Sequence, residues 1–344
     1  MGIFVPESRK LMKKNISITR LAEYCGCSPS TVSRVFNGTM PVSTAMRNKI
    51  LSAAERFNYP RGLKIRKNTV ALIVSDNQQW TPPSWYACNF ISVLLGALSA
   101  SGYKVILCRI SEAAGLDVRE IIAGVILDWS SPVSAIKSLQ KLGIPLICIN
   151  TFIGGVNTVC ADHAGQMAAA VRYLLRAGHR KIIYLEPSSD NWGSSERLRG
   201  ARIAFADTGI VYKDNFTTVW NSEMMLEKEL FKRMLVERTP SAIITLHEDW
   251  SIDVYRILVS LGFTVGKDIS LITSEIGDTM GAFEPGITTI RQDIDGLANG
   301  VVEMIKNQRS SSPFMNGIMH YVIPCIITER NSVKKLNTSG KEKI

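Results

Sequence analysis

Ser17-Ile18-Thr19-Arg20-Leu21-Ala22-Glu23-Tyr24-Cys25-Gly26-Cys27-Ser28-Pro29-Ser30-Thr31-Val32-Ser33-Arg34-Val35-Phe36-Asn37-Gly38 reads as two short helices joined by a tight turn. Ser17 is placed to cap a helix whose apolar face is Ile18, Leu21 and Ala22. Gly26 stops it, because glycine tolerates the left-handed backbone that a tight turn needs. Ser28 is placed to cap the next helix, with Pro29 at its first position, where a missing N–H costs nothing. Val32, Val35 and Phe36 give that helix its inner face. Ala22, Gly26 and Val32 match a helix-turn-helix: a small residue where the helices nearly touch, glycine at the turn, a branched apolar residue beneath the second helix. Pro29, Ser30, Thr31, Ser33 and Arg34 are left facing outward. Hydroxyls bond phosphates or base edges, and arginine grips guanine or phosphate through two donors. The spacing alone also fits a generic three-helix cap with solvated hydroxyls.

The surrounding charge favours DNA. Residues 1–67 hold thirteen Lys or Arg and three acids, a net charge of +10, while the rest of the 344-residue chain is neutral overall. A concentrated positive field is the footprint of a polyanion partner. A third helix, capped by Ser43, would turn Ile50, Leu51, Ala54 and Phe57 inward. The composition, 46% apolar and 20% charged, is that of a globular protein, and the length suits two or three compact units. The sequence shows no apolar run long enough to span a membrane and no secretory signal. Seven scattered cysteines read as reduced thiols, so a cytoplasmic protein is expected.

Ser17 to Gly38, continued by Pro41-Val42-Ser43, Arg47, Ala53-Ala54-Glu55 and Asn58-Tyr59, resembles the DNA-binding headpiece of the lactose/galactose repressor (LacI/GalR) family. The run Ser30-Thr31-Val32-Ser33-Arg34-Val35 with Asn37 carries most of the match. The resemblance implies a repressor that binds double-stranded operator DNA as a homodimer and answers to a sugar-like effector. Pro29 and Ser30 then occupy the positions that choose the operator. Thr31, Ser33, Arg34 and Asn37 take DNA-contacting positions, and Ser17 and Ser43 reach phosphates while capping helices. The linker 59–68 departs from the family. It is basic, short, and lacks the usual hinge-helix pattern, so Arg61 and Lys64, with Arg66 and Lys67, are expected to track phosphates. Leu63 or Ile65 as a compact wedge is the competing reading.

From Thr69, short apolar runs alternate with amphipathic stretches, which argues for parallel α/β sheets in two similar stretches, about 69–160 and 161–290. Arg197-Leu198-Arg199-Gly200-Ala201-Arg202, Pro240-Ser241-Ala242-Ile243 and Thr288-Thr289-Ile290-Arg291-Gln292 continue the resemblance more weakly. The implied fold class is a small all-α helix-turn-helix headpiece (1–58) plus a bilobal, periplasmic-binding-protein-like α/β core (69–331), followed by a polar tail (332–344). The effector positions it implies are Arg197 above all, then Trp220, Glu248, Glu275, Asp128, Asp76 and Ile294. The segment Ser111 to Ala123 is shorter than the family's helix there.

Other chemistry finds little support. The four histidines are too far apart for a local metal motif, and Cys25-Gly26-Cys27 is too tight for the common zinc pair. Gly262 to Lys267 lacks the spacing of a phosphate loop, and Asp268 follows where such a loop has Ser or Thr. No cofactor is expected. An enzyme on a bilobal fold and a DNA-binding dimer without effector response remain as alternatives.

Overall fold

The computed structural model describes residues 16–37, 42–57, 59, 68–76, 85–118, 120–127, 133–186, 192–220, 228–275, 277–310 and 317–336. The chain divides into two compact units, residues 1–68 and 69–344.

The first unit has three helices: α1 (Ile18–Cys25), α2 (Pro29–Asn37) and α3 (Thr44–Arg56). Ser17 caps α1 by accepting the Arg20 N–H, and Ser43 caps α3 by accepting that of Met46. Gly26 ends α1 at φ 68°, the left-handed backbone expected of it. Leu21, Ala22, Cys25, Val32, Val35, Phe36, Ile50, Ala53 and Ala54 form one buried core. Tyr24 and Phe57 pack edge to face, and Phe36 stacks on Tyr59, at the rim.

The second unit runs β1 (Thr69–Val74), α4 (Trp85–Ala100), β2 (Lys104–Arg109), β3 (Ile121–Leu127), α5 (Val133–Gln140), β4 (Leu146–Ile149) and β5 (Asn157–Ala161). It continues with α6 (His163–Arg176), β6 (Ile182–Glu186), α7 (Trp192–Thr208), α8 (Tyr212–Asn215), β7 (Phe216–Trp220), α9 (Lys228–Arg238), β8 (Ala242–Thr245) and α10 (Glu248–Ser260). Then follow β9 (Ser270–Thr273), β10 (Thr288–Arg291), α11 (Ile294–Ser310), β11 (His320–Ile323) and β12 (Ile326–Thr328). Two six-stranded sheets result, in the orders β11-β5-β4-β3-β1-β2 and β12-β10-β9-β8-β6-β7. All pairings are parallel except β10 with β12. Central strands such as β1, β4 and β8 are buried throughout, as apolar strands covered on both faces should be.

One expectation needs revision. The lobes are not two consecutive stretches. The chain enters the second lobe after β5, returns after β10 to place α11 and β11 on the first, and crosses again after β11 so that β12 completes the second. The segment Ser111 to Ala123 is short, as expected: its described residues hold no α-helix, and a six-residue 3-10 turn, Ile110–Gly115, lies between β2 and β3. The described residues after the last strand, 329–336, are also held in place. Ser332 is fully buried between Leu271 and Thr288, and the Leu336 N–H donates to the Ala177 carbonyl. Gly262 to Asp268 is a closed turn in which Asp268 accepts the Thr264 N–H. No described helix is long and apolar enough to cross a membrane, and the described residues hold no cluster suited to a metal ion.

Candidate DNA-reading helix and interlobe cleft

On α2 the inner residues Val32, Val35 and Phe36 are buried, while Pro29, Ser30 and Arg34 are exposed and Thr31 and Ser33 half-buried. The hydroxyls converge at the start of the helix. Ser28 Oγ accepts the Thr31 N–H and lies 2.7 Å from Ser30 Oγ and 2.9 Å from Thr31 Oγ1. One hydroxyl thus orients two others at the helix N-terminus, whose positive end favours a phosphate beside them. Asn37 ends the helix; its side chain, like Arg61 and Lys64, lies outside the described residues.

In the second unit the polar groups gather where parallel strands end, the usual place for a ligand in open α/β sheets. Arg197, on α7, is central. Its side chain is 12% exposed, and its described partners are distant: Gln166 Oε1 at 3.5 Å and Glu186 Oε2 at 3.9 Å. Glu186, the last residue of β6, is buried and accepts the Ser194 hydroxyl at 2.6 Å on its other oxygen. Burial pushes its carboxyl up, and Arg197 and Ser194 oppose that rise. Gln166 is fixed from behind, since its amide donates to the Ile290 carbonyl at 2.7 Å.

The first lobe contributes Tyr86 from α4, whose hydroxyl donates to Gln292 Oε1 at 2.7 Å. Asn150, just after β4 and at φ 50°, donates to both the Tyr86 hydroxyl and Gln292. Burial holds the Tyr86 phenol well above its ordinary range; Glu248 adds to the rise and Arg197 opposes it. Glu248 opens α10 and accepts the Ser274 hydroxyl at 2.7 Å. Tyr86 on the first lobe therefore feels the charges of Arg197 and Glu248 on the second.

His163 and His247 lie close enough to Arg197 to be held neutral. Burial, reinforced by that charge, pushes His163 well down and His247 down to about 4. Among the described residues neither ring nitrogen of His163, nor Nδ1 of His247, nor the hydroxyls of Thr245 and Thr273 has a hydrogen-bond partner. Buried polar atoms without partners cost roughly 1–3 kcal/mol each, a cost a bound hydroxylated molecule or water removes.

The residues named from sequence distribute unevenly. Arg197 and Glu248 both act on the Tyr86 phenol, with opposite sign. Trp220 ends β7 in register with Glu186, its side chain outside the described residues, as is Asp128 entirely. Asp76 is engaged elsewhere. Its carboxylate accepts the N–H and hydroxyl of Ser111, fastening the end of β1 to the 3-10 turn. Those bonds hold its carboxyl below the usual range. Glu275 is turned into a buried cluster, accepting from Thr289 Oγ1 (2.6 Å), the Met280 N–H (3.0 Å) and Arg330 (3.0 Å). Both of its oxygens are therefore occupied by the protein. Ile294 is half-buried against the first-lobe core. Tyr86, Asn150, Glu186 and Gln292 are not singled out by the sequence. Asn150 and Glu186 carry a usable signal, a polar residue where an apolar strand ends; Tyr86 and Gln292 carry none.

Residues 17–61 match the model of the lacI family of bacterial regulatory proteins, and residues 171–333 match that of the periplasmic binding protein-like domain. The HTH-type transcriptional repressor PurR of Photobacterium profundum is 25% identical over 346 residues, covering 93% of this chain and 99% of the relative. Among solved structures, the transcriptional regulator CelR–cellobiose complex superposes with TM-score 0.65 at 21% identity, covering 92% of this chain and 99% of that one. The lac repressor dimer bound to operator and the anti-inducer ONPF gives TM-score 0.67 at 18% identity, over 93% of this chain and all of that one. With a helix-turn-helix of matching sequence before a bilobal core of matching topology, this chain belongs to the LacI family of DNA-binding transcriptional regulators.

Proposed function

We propose that the protein is a homodimeric repressor whose grip on its operator is set by a small hydroxylated, sugar-like molecule held around Arg197. The observation that carries this reading is the guanidinium itself. It has five donors, it is nearly buried between the lobes, and its two described contacts are 3.5 and 3.9 Å long. Such donors are suited to ligand oxygens that arrive as the lobes close. The cellobiose of the CelR complex supports a saccharide as the class to try first. On the DNA side, Pro29 and Ser30 select bases, Thr31, Ser33, Arg34 and Asn37 hold the helix in the groove, and Ser17 and Ser43 meet phosphates.

A thermal-shift screen of sugars and nucleosides, followed by operator-binding isotherms with each hit, tests the reading. A hit that changes operator affinity in wild type, and not in Arg197→Ala, is the expected result. The short connection between β2 and β3 favours a second reading, a DNA-binding dimer that ignores small molecules. That reading gains if no compound changes the operator isotherm.

A further inference from the structure

A nearly buried arginine with spare donors would ordinarily make a cleft a receptor for carboxylates and phosphates. Here the protein supplies the anion itself. Glu186 is 2% exposed, its Oε1 accepts the Ser194 hydroxyl, and its Oε2 lies 3.9 Å from Arg197. Glu248, the first residue of α10, adds a second negative charge that raises the Tyr86 phenol. Burial and Arg197 itself keep the two nearby histidines neutral, so among the described residues the charge beside Arg197 is that of Glu186. An entering anion would lose its water, share one guanidinium with Glu186, and meet a like charge.

The 3.9 Å separation suits a different guest. It is too long for a direct hydrogen bond and leaves room for an oxygen that accepts from Arg197 while its proton goes to Glu186. A hydroxyl does both; a carboxylate or phosphate dianion only accepts. The unpartnered His163 ring nitrogens offer further positions with one donor and one acceptor. We propose that Glu186 is a specificity-determining residue: with Arg197 it selects an uncharged hydroxyl-bearing ligand and rejects sugar acids and sugar phosphates. The inference rests on the reading of this cleft as the effector site.

The test uses the full chain and matched probes at constant ionic strength: glucose with glucuronate, ribose with ribose 5-phosphate, and inorganic sulfate. Melting temperature and calorimetric binding are measured for wild type, Glu186→Gln and Glu186→Gln/Arg197→Gln. Wild type should show no response to the anions beyond that to chloride. Glu186→Gln, which can keep the Ser194 contact, should gain anion binding by roughly tenfold or more. The double variant should lose that gain. Wild type binding an anion more tightly than its neutral partner overturns the proposal, as does Glu186→Gln without a gain or a gain that survives removal of Arg197. The wild-type arm judges it even if the variants do not fold. If no neutral sugar binds wild type while Glu186→Gln still acquires anions through Arg197, the saccharide reading fails and the role of Glu186 stands.

Discussion

Ser30 and Arg34 sit one turn apart on α2 and are both exposed, yet they should fail differently when changed. Arg34→Ala should weaken every operator by about 1–3 kcal/mol, whereas Ser30 substitutions should mainly reorder preference among operators. Isotherms on an operator panel check this; unchanged affinity for Arg34→Ala throughout would remove the residue from the interface. Histidine chemistry gives a second residue-level expectation. His179 is enclosed by Ser241 Oγ, Ser270 Oγ and the Lys334 carbonyl, and burial pushes it down to about 4; His247 is also at about 4. The carbonyl can only accept, so Nε2 carries the proton and Nδ1 accepts from Ser241. In the unfolded chain both imidazoles titrate near 6.5. Between about pH 6.5 and 4 the unfolded chain therefore takes up protons that the fold refuses, and stability falls with falling pH. Each group contributes at most about 1.4 kcal/mol per pH unit. Denaturation midpoints at pH 7, 6 and 5 should fall in that order, and His179→Asn should shallow the slope.

At the level of elements, the packing of α6 on α7 fixes where Arg197 points. A Cβ built on Gly200 would sit 2.0 Å from the Ala164 carbonyl oxygen, so the helices meet backbone to backbone. Arg197 is one turn before Gly200, and Gln166 lies two residues beyond Ala164. Gly200→Ala should push α7 away, cost on the order of 1–3 kcal/mol, and weaken any ligand that depends on Arg197. Urea denaturation and calorimetry would show both effects; a variant of unchanged stability would refute the close packing. The same element explains what was legible. The glycine in Arg197-Leu198-Arg199-Gly200 is a packing requirement that survives in sequence, and long apolar runs such as Thr69–Val74 announce central strands. Five strands, Asn157–Ala161, Phe216–Trp220, Thr288–Arg291, His320–Ile323 and Ile326–Thr328, do not announce themselves in this way, because they are short and polar residues interrupt or flank them. Their identity is decided by neighbours distant in the chain, as when Tyr321 pairs with Val159. The cleft suffered likewise: Arg197 was readable from its motif, whereas the duty of Glu275 depends on Arg330, fifty-five residues away.

For the whole molecule, a two-fold dimer of such chains should select a palindromic site, each headpiece reading one half. Footprinting on randomised DNA checks this, and an asymmetric site recovered by a stable monomer would refute it. Residues 61–67 lie outside the described structure, and their test is ionic. Neutralising Arg61, Lys64, Arg66 and Lys67 together should weaken specific and non-specific binding alike. The log–log salt slope should flatten by about 0.9 for each phosphate that no longer meets a cation. The threefold passage of the chain between the lobes carries a genetic consequence. A nonsense codon near position 315 removes less than a tenth of the polypeptide. It deletes β11 from one sheet and β12 from the other, with Ser332 and the segment that seals His179. Late truncation alleles should therefore behave as complete losses, with the product cleared by proteolysis, while single substitutions on α2 leave an intact protein that has only lost its address.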